Sequence, residues 1–129
     1  MREIKFRIWD MDRKVMLGSR YVIFYDGDFY ENYRDLEDGI LIENIAVMQY
    51  IGLKDKNGVE ICEGDIVETV YNGEVFAGVV VYDLSEVDFK VTDGKEKYGR
   101  NFQYLAGNDE NEVIGNIYEN PELLESKKD

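Results

Sequence analysis

The sequence predicts a mostly β protein, with small antiparallel sheets, a partly closed SH3-like barrel in the C-terminal half and a short C-terminal helix. Three observations lead there. Five reversal dipeptides, Asp26-Gly27, Asp38-Gly39, Asn57-Gly58, Asn72-Gly73 and Asp93-Gly94, punctuate the chain, four of them with aromatic or β-branched residues on both sides. Asn-Gly and Asp-Gly supply the positive φ angles of tight hairpin turns. They recur about every 12 to 21 residues, which leaves room for strand pairs of ordinary length. Between them, aromatic and branched side chains alternate with polar ones, the period of a half-buried strand.

In chain order, Ile4, Phe6 and Ile8 alternate with Lys5, Arg7 and Trp9 in a first strand. Asp10 to Lys14 is its turn, and Val15 to Leu17 return. Tyr21 to Tyr25 and Phe29 to Tyr33 flank Asp26-Gly27 as a second hairpin, followed by the acidic stretch Arg34 to Asp38. Ile40 to Val47 is apolar enough for a strand or a short helix, and periodicity does not separate the two; strand is the reading adopted. Tyr50 to Leu53, the loop Lys54 to Gly58 and Val59 to Cys62 form the next hairpin, and Glu63-Gly64-Asp65 leads into Ile66 to Tyr71. Asn72-Gly73 reverses the chain into Val75 to Tyr82, whose unbroken Val79-Val80-Val81 reads as a strand buried on both faces. Asp88 to Thr92 and Arg100 to Leu105 lie around Asp93-Gly94, Gly107 to Glu112 is a polar loop, and Val113 to Tyr118 is the last strand. Asn120-Pro121-Glu122 combines an N-cap, a proline at the first helical position and an acid in the first turn. A helix of one or two turns is expected from Pro121 to about Ser126.

Gly-Asp-Ile-Val after a tight loop, then a hairpin and two more strands, is how a small SH3-like barrel is entered. The expected organisation is an N-terminal β-hairpin region over residues 1–50, the barrel over 51–118, and the helix with a charged tail over 119–129, packed as one domain or as two intimate small sheets.

A chain of 129 residues buries about 68% of its unfolded surface. Its 44% apolar and 13% aromatic content exceed what a disordered chain carries, despite 33% charge. The longest apolar stretch, Ala77 to Tyr82, is far short of the roughly 20 residues of a membrane-spanning helix. Met1 to Arg7 alternates charge with apolar side chains where a secretory signal has a continuous apolar run. A cytoplasmic location in a bacterial host is expected, with no membrane contact.

Charge is lopsided. The chain has 28 acids against 15 bases, yet residues 1–25 hold six bases and three acids, so that stretch is +3 and the rest −16. Such an asymmetry is satisfied within one molecule or between copies. Net charge of −13 argues against binding nucleic acid by phosphate neutralisation, and against attraction to anionic lipid.

The chain has no histidine, so the commonest general base, metal-binding imidazole and partner of Ser or Cys nucleophiles are missing. Carboxylates alone hold magnesium or calcium, or cleave a glycosidic bond. The two candidates, Asp26-Gly27-Asp28 and Asn108-Asp109-Glu110-Asn111-Glu112, lack the twelve-residue calcium-loop spacing and read as solvated turn acids. Gly94, Gly99 and Gly107 are too far apart for a phosphate loop. Lys97 to Tyr104 interleaves bases with aromatics as a single-strand-binding surface does, but in so acidic a chain it reads as a half-buried strand. Cys62, between Ile61 and Glu63, reads as a small buried residue rather than a reactive thiol, and Trp9 as a ring packed between sheets. No catalytic, cofactor-binding or metal-binding residue is assigned, and no cofactor is expected.

Three segments stand out: Met1 to Asp10 (MREIKFRIWD), Gln49 to Val67 (QYIGLKDKNGVEICEGDIV) and Val113 to Leu124 (VIGNIYENPELL). Together they resemble the YopX family of phage and prophage proteins and frame the whole chain, the middle segment being the most specific. Cys62 stands where an aromatic residue is more usual in that family. The resemblance implies a small protein encoded in phage genomes and prophage regions, mainly of Gram-positive bacteria, in a family with no activity or functional residues assigned. The same residues have structural reasons of their own: Gly52 and Gly64 free the backbone at loop edges, and Asp65 is placed to accept from nearby loop amides.

Two functions follow as expectations. The first is a non-catalytic module that self-associates into a homo-oligomer or joins a phage or host protein: ten tyrosines offer amphipathic contact surface and exposed β edges need covering. The second is an acidic decoy that presents carboxylates in place of phosphates to a host DNA-binding protein, since residues 26–43 gather seven acids against Arg34 alone.

Overall fold

A computed structural model describes residues 5–71, 73–85, 87–92, 102–104 and 110–125. The fold is mostly β, with antiparallel sheets and a short C-terminal helix, as the alternation and turn chemistry predict. The chain divides into two compact units, one ending at Gln49 and the other starting at Tyr50.

In the first unit, β1 (Phe6–Asp10) pairs antiparallel with β2 (Val15–Gly18), Ile8 opposite Leu17. On its other side β1 meets the first half of β5 (Ile45–Lys54), Ile8 opposite Val47. Ile8 and Trp9, neighbours that point to opposite faces of β1, are both buried, so this end of the strand is covered on both sides and the half-buried alternation expected there does not hold. A short 3₁₀ turn (Ser19–Tyr21) leads to the hairpin of β3 (Ile23–Tyr25) and β4 (Asp28–Tyr30). Its two-residue loop has both φ angles positive, Asp26 at 50° and Gly27 at 87°, as a type I′ turn requires. A two-stranded ribbon is marginal alone; here the Phe24 and Phe29 rings meet Phe6 edge to face, centroids 5.7 and 5.1 Å away, and lie 4.9 Å from each other.

Two further expectations fail in this unit. The acidic stretch, read without regular structure, is helix α1 (Tyr33–Asp38), and Tyr33 belongs to it rather than to β4. The Asn32 side chain accepts the Asp35 N–H at 2.8 Å, and Gly39 at φ 70° ends the helix, so Asp38-Gly39 closes a helix and not a hairpin. The strand expected over Ile40 to Val47 begins only at Ile45, because Asn44 adopts a φ of 54° that breaks extension.

In the second unit, the later half of β5 pairs with β6 (Glu60–Cys62) across an irregularity that contains Gly52 at φ 87°. β7 (Asp65–Tyr71), β8 (Glu74–Asp83), β9 (Asp88–Thr92), β10 (Phe102–Tyr104) and β11 (Glu112–Asn116) form a half-barrel sheet in the order β10-β9-β8-β7-β11. Ile51, Ile61, Val67, Val80 and Val91 make its core, each such burial contributing about 1.5 to 3 kcal/mol. Val80 is buried while Val79 and Val81 are half-buried, so the strand expected to bury both faces does so unequally. β11 stops two residues short of the expected Tyr118, because Asn116 Oδ1 accepts the N–H groups of Tyr118 and Glu119 and turns the chain. Helix α2 (Glu122–Glu125) follows. Asp93-Gly94 and the ends of the strand expected over Arg100 to Leu105 lie outside the described residues.

Candidate functional site

Three buried carboxylates among the described residues, Asp10, Asp55 and Asp65, invite a catalytic reading, and the partners of the first two in particular argue for support instead. Asp10 Oδ1 accepts the N–H groups of Asp12 and Arg13 at 3.0 Å each, and Oδ2 takes Arg13 Nε at 2.7 Å. The Arg13 backbone N–H, then its guanidinium, hold the Asp10 carboxyl below the usual carboxylate range against the opposing effect of burial. Arg13 is pushed up by Asp10 and by Glu31, which its Nη2 also grips. In the second unit Asp55 accepts from Asn57 and Val59 at 2.8 and 2.9 Å and from Val113 at 2.9 Å. Burial drives the Asp55 carboxyl up, but the N–H groups of Val113, Val59 and Asn57 outweigh it and the pKa is lowered. Both acids therefore stay ionised as backbone acceptors, the opposite of what a general acid needs.

The sequence-weighed residues are not brought together. Asp26 and Asp28 are exposed at the β3–β4 turn. Glu112 sits 3.5 Å from Lys56 Nζ, while Asn108 and Asp109 fall outside the described residues, as do Lys97 to Asn101. Cys62 and Trp9 are buried, and the Cys62 N–H donates to Asp65 Oδ2 at 2.8 Å. Among the described residues no three metal-ligating side chains stand close enough to share an ion, and no helix is long and apolar enough to cross a membrane.

What the first unit does present is a surface. Tyr21, Phe24, Tyr25 and Tyr33 are 71%, 55%, 61% and 74% exposed; on the β3–β4 ribbon Phe24 shares a face with the buried Phe29, whereas Tyr25 lies on the opposite face with the buried Tyr30. In the same unit, Arg13, Glu31, Asp35, Ile40 and Leu41 are among the residues that line an open cleft of about 240 Å³ with acidic and apolar walls. No composition rule marks this surface. Asn32, Asp35 and Gly39, a cap, an acid three residues on and a glycine stop, are the signal for α1 that was there to be found.

The sequence profile described as YopX protein matches residues 5–125. The chain is similar to the crystal structure of protein EF1440 from Enterococcus faecalis, with 27% identity, a TM-score of 0.55, and coverage of 96% of this chain and 99% of that one. It is also similar in fold to protein yopX from Bacillus subtilis, with 23% identity, a TM-score of 0.54 and coverage of 92% and 96%. No curated protein matches the sequence.

Proposed function

The chain belongs to the YopX family, and from that premise we propose that it is a non-catalytic interaction module that assembles with copies of itself in the cytoplasm. The observation that carries this reading is the exposure of four aromatic rings between Tyr21 and Tyr33. Tyr and Phe are enriched where proteins meet, because each combines a large apolar body with little rotamer entropy to lose. The lack of any histidine supports a role without acid–base chemistry. Light scattering on the purified chain tests it: mass should rise above the 15.1 kDa monomer across micromolar concentrations, and a strict monomer throughout removes the reading.

The decoy reading is favoured by Glu37 and Asp38, exposed acids of α1 with no ion pair among the described residues. Host lysate passed over the immobilised protein with competing DNA decides it: retention of no DNA-binding protein eliminates the decoy.

A further inference from the structure

We infer that Asn57 is a modification site: its side-chain amide converts to aspartate or isoaspartate by attack from the Gly58 nitrogen, at a rate gated by the hydrogen bonds of Asp55. Both residues are exposed, and a Cβ built on Gly58 would meet nothing within 4 Å. Asn followed by Gly suits this chemistry best, because the second residue has no side chain to hinder ring closure. In the first step the Gly58 backbone nitrogen loses its proton and bonds to Asn57 Cγ, while the Nδ2 group takes up a proton and leaves as ammonia. Water then opens the cyclic imide at either carbonyl, giving aspartate or an isoaspartate whose backbone runs through an extra methylene. The reaction consumes water alone.

The fold holds that step back. The Gly58 N–H donates to the Asp55 carbonyl at 3.0 Å, so the proton that must leave is engaged in the turn. Asp55 Oδ1 accepts the N–H groups of Asn57 and Val59 at 2.8 and 2.9 Å, which fixes the backbone on both sides of Gly58 and sets a carboxylate beside a nitrogen that must become an anion. Asn57 Nδ2 donates weakly to Glu112 Oε2 at 3.4 Å, restraining the amide as well.

Conversion undoes the same contacts. A carboxylate at position 57 sets like charge against Glu112 where a donor stood, and the extra methylene of isoaspartate lengthens the segment that Asp55 clasps. Asp55 Oδ2 also takes the Val113 N–H at 2.9 Å, so a loosened loop weakens its hold on β11. Because released ammonia does not return, the change runs one way.

Ageing the purified chain in mildly alkaline buffer, with and without urea, and mapping its peptides by mass spectrometry tests this. The peptide holding residues 55–60 should gain the mass of amide-to-acid conversion about tenfold more slowly in the folded chain than in urea, as local opening of ordinary cost requires. Asp55→Asn, checked by circular dichroism to be folded, should lose most of that protection; where it does not fold, wild type with and without urea decides alone. In the converted chain the Val113 amide should exchange hydrogen several-fold faster than before, while the amides of Val80 and Val91 keep their rates. No conversion in urea, equal rates with and without it, full protection in a folded Asp55→Asn, or unchanged Val113 exchange after conversion would each overturn the inference.

Discussion

The two units treat the same kinds of residue in opposite ways. In the second, branched side chains at Ile51, Ile61, Val67, Val80 and Val91 close on one another, and its exposed apolar residues, such as Leu84, Val87 and Val75, sit at or near hairpin turns. In the first, aromatic residues within regular elements are exposed: Tyr25 on β3 and Tyr33 on α1, and Phe24 in part although its ring packs against Phe6 and Phe29. The difference teaches that the first unit leaves in solvent the kind of side chain the second encloses, so under the proposed self-association substitutions should separate stability from assembly.

Four substitutions sharpen that contrast, in falling order of effect on stability. Ile61→Ala, at a fully buried site, should cost about 3 kcal/mol in chemical denaturation, the usual cost of emptying a core position. Gly78→Ala should cost about 2 kcal/mol, because a Cβ there would lie 2.6 Å from the Thr92 carbonyl oxygen and 2.7 Å from Val91 Cγ1, forcing β8 and β9 apart. Asp55→Asn should cost about 1 to 2 kcal/mol at neutral pH, since an amide cannot accept from all three N–H groups. Its pH dependence has a definite sign. The folded-state pKa lies below the unfolded value of about 4, so the carboxylate's contribution is complete above that value and is lost as pH falls through the folded-state pKa. Urea midpoints of wild type and Asp55→Asn should therefore converge in acid and stay apart above about pH 5. Smallest is Tyr21→Ser/Tyr25→Ser/Tyr33→Ser, each exposed position being worth within about 0.5 kcal/mol; melting should barely move while assembly by light scattering is lost.

The sequence was most legible where one local rule acted alone. Asp26-Gly27 and Asn57-Gly58 fall in hairpin turns, and Gly58 takes the expected positive φ of 83°. Asp65 accepts the loop amide of Cys62 as its position foretold. Misreadings came where two rules competed. Asp38-Gly39 has the hairpin dipeptide, yet Asn32 had already started a helix whose end needs the same left-handed glycine. Ile40 to Val47 has the composition of a strand, but a single φ at Asn44 delays extension to Ile45. The surface was least legible: Tyr25 and Tyr30 share one face of the β3–β4 ribbon, opposite the face that packs on Phe6, yet one is exposed and the other buried, and tyrosine itself is indifferent to the outcome.

Amide hydrogen exchange at two protein concentrations tests the central claim most directly. Peptides covering residues 19–43 should exchange more slowly at high concentration, while those covering β6 to β9 keep one rate. Equal exchange at both concentrations, or protection confined to the second unit, would contradict it.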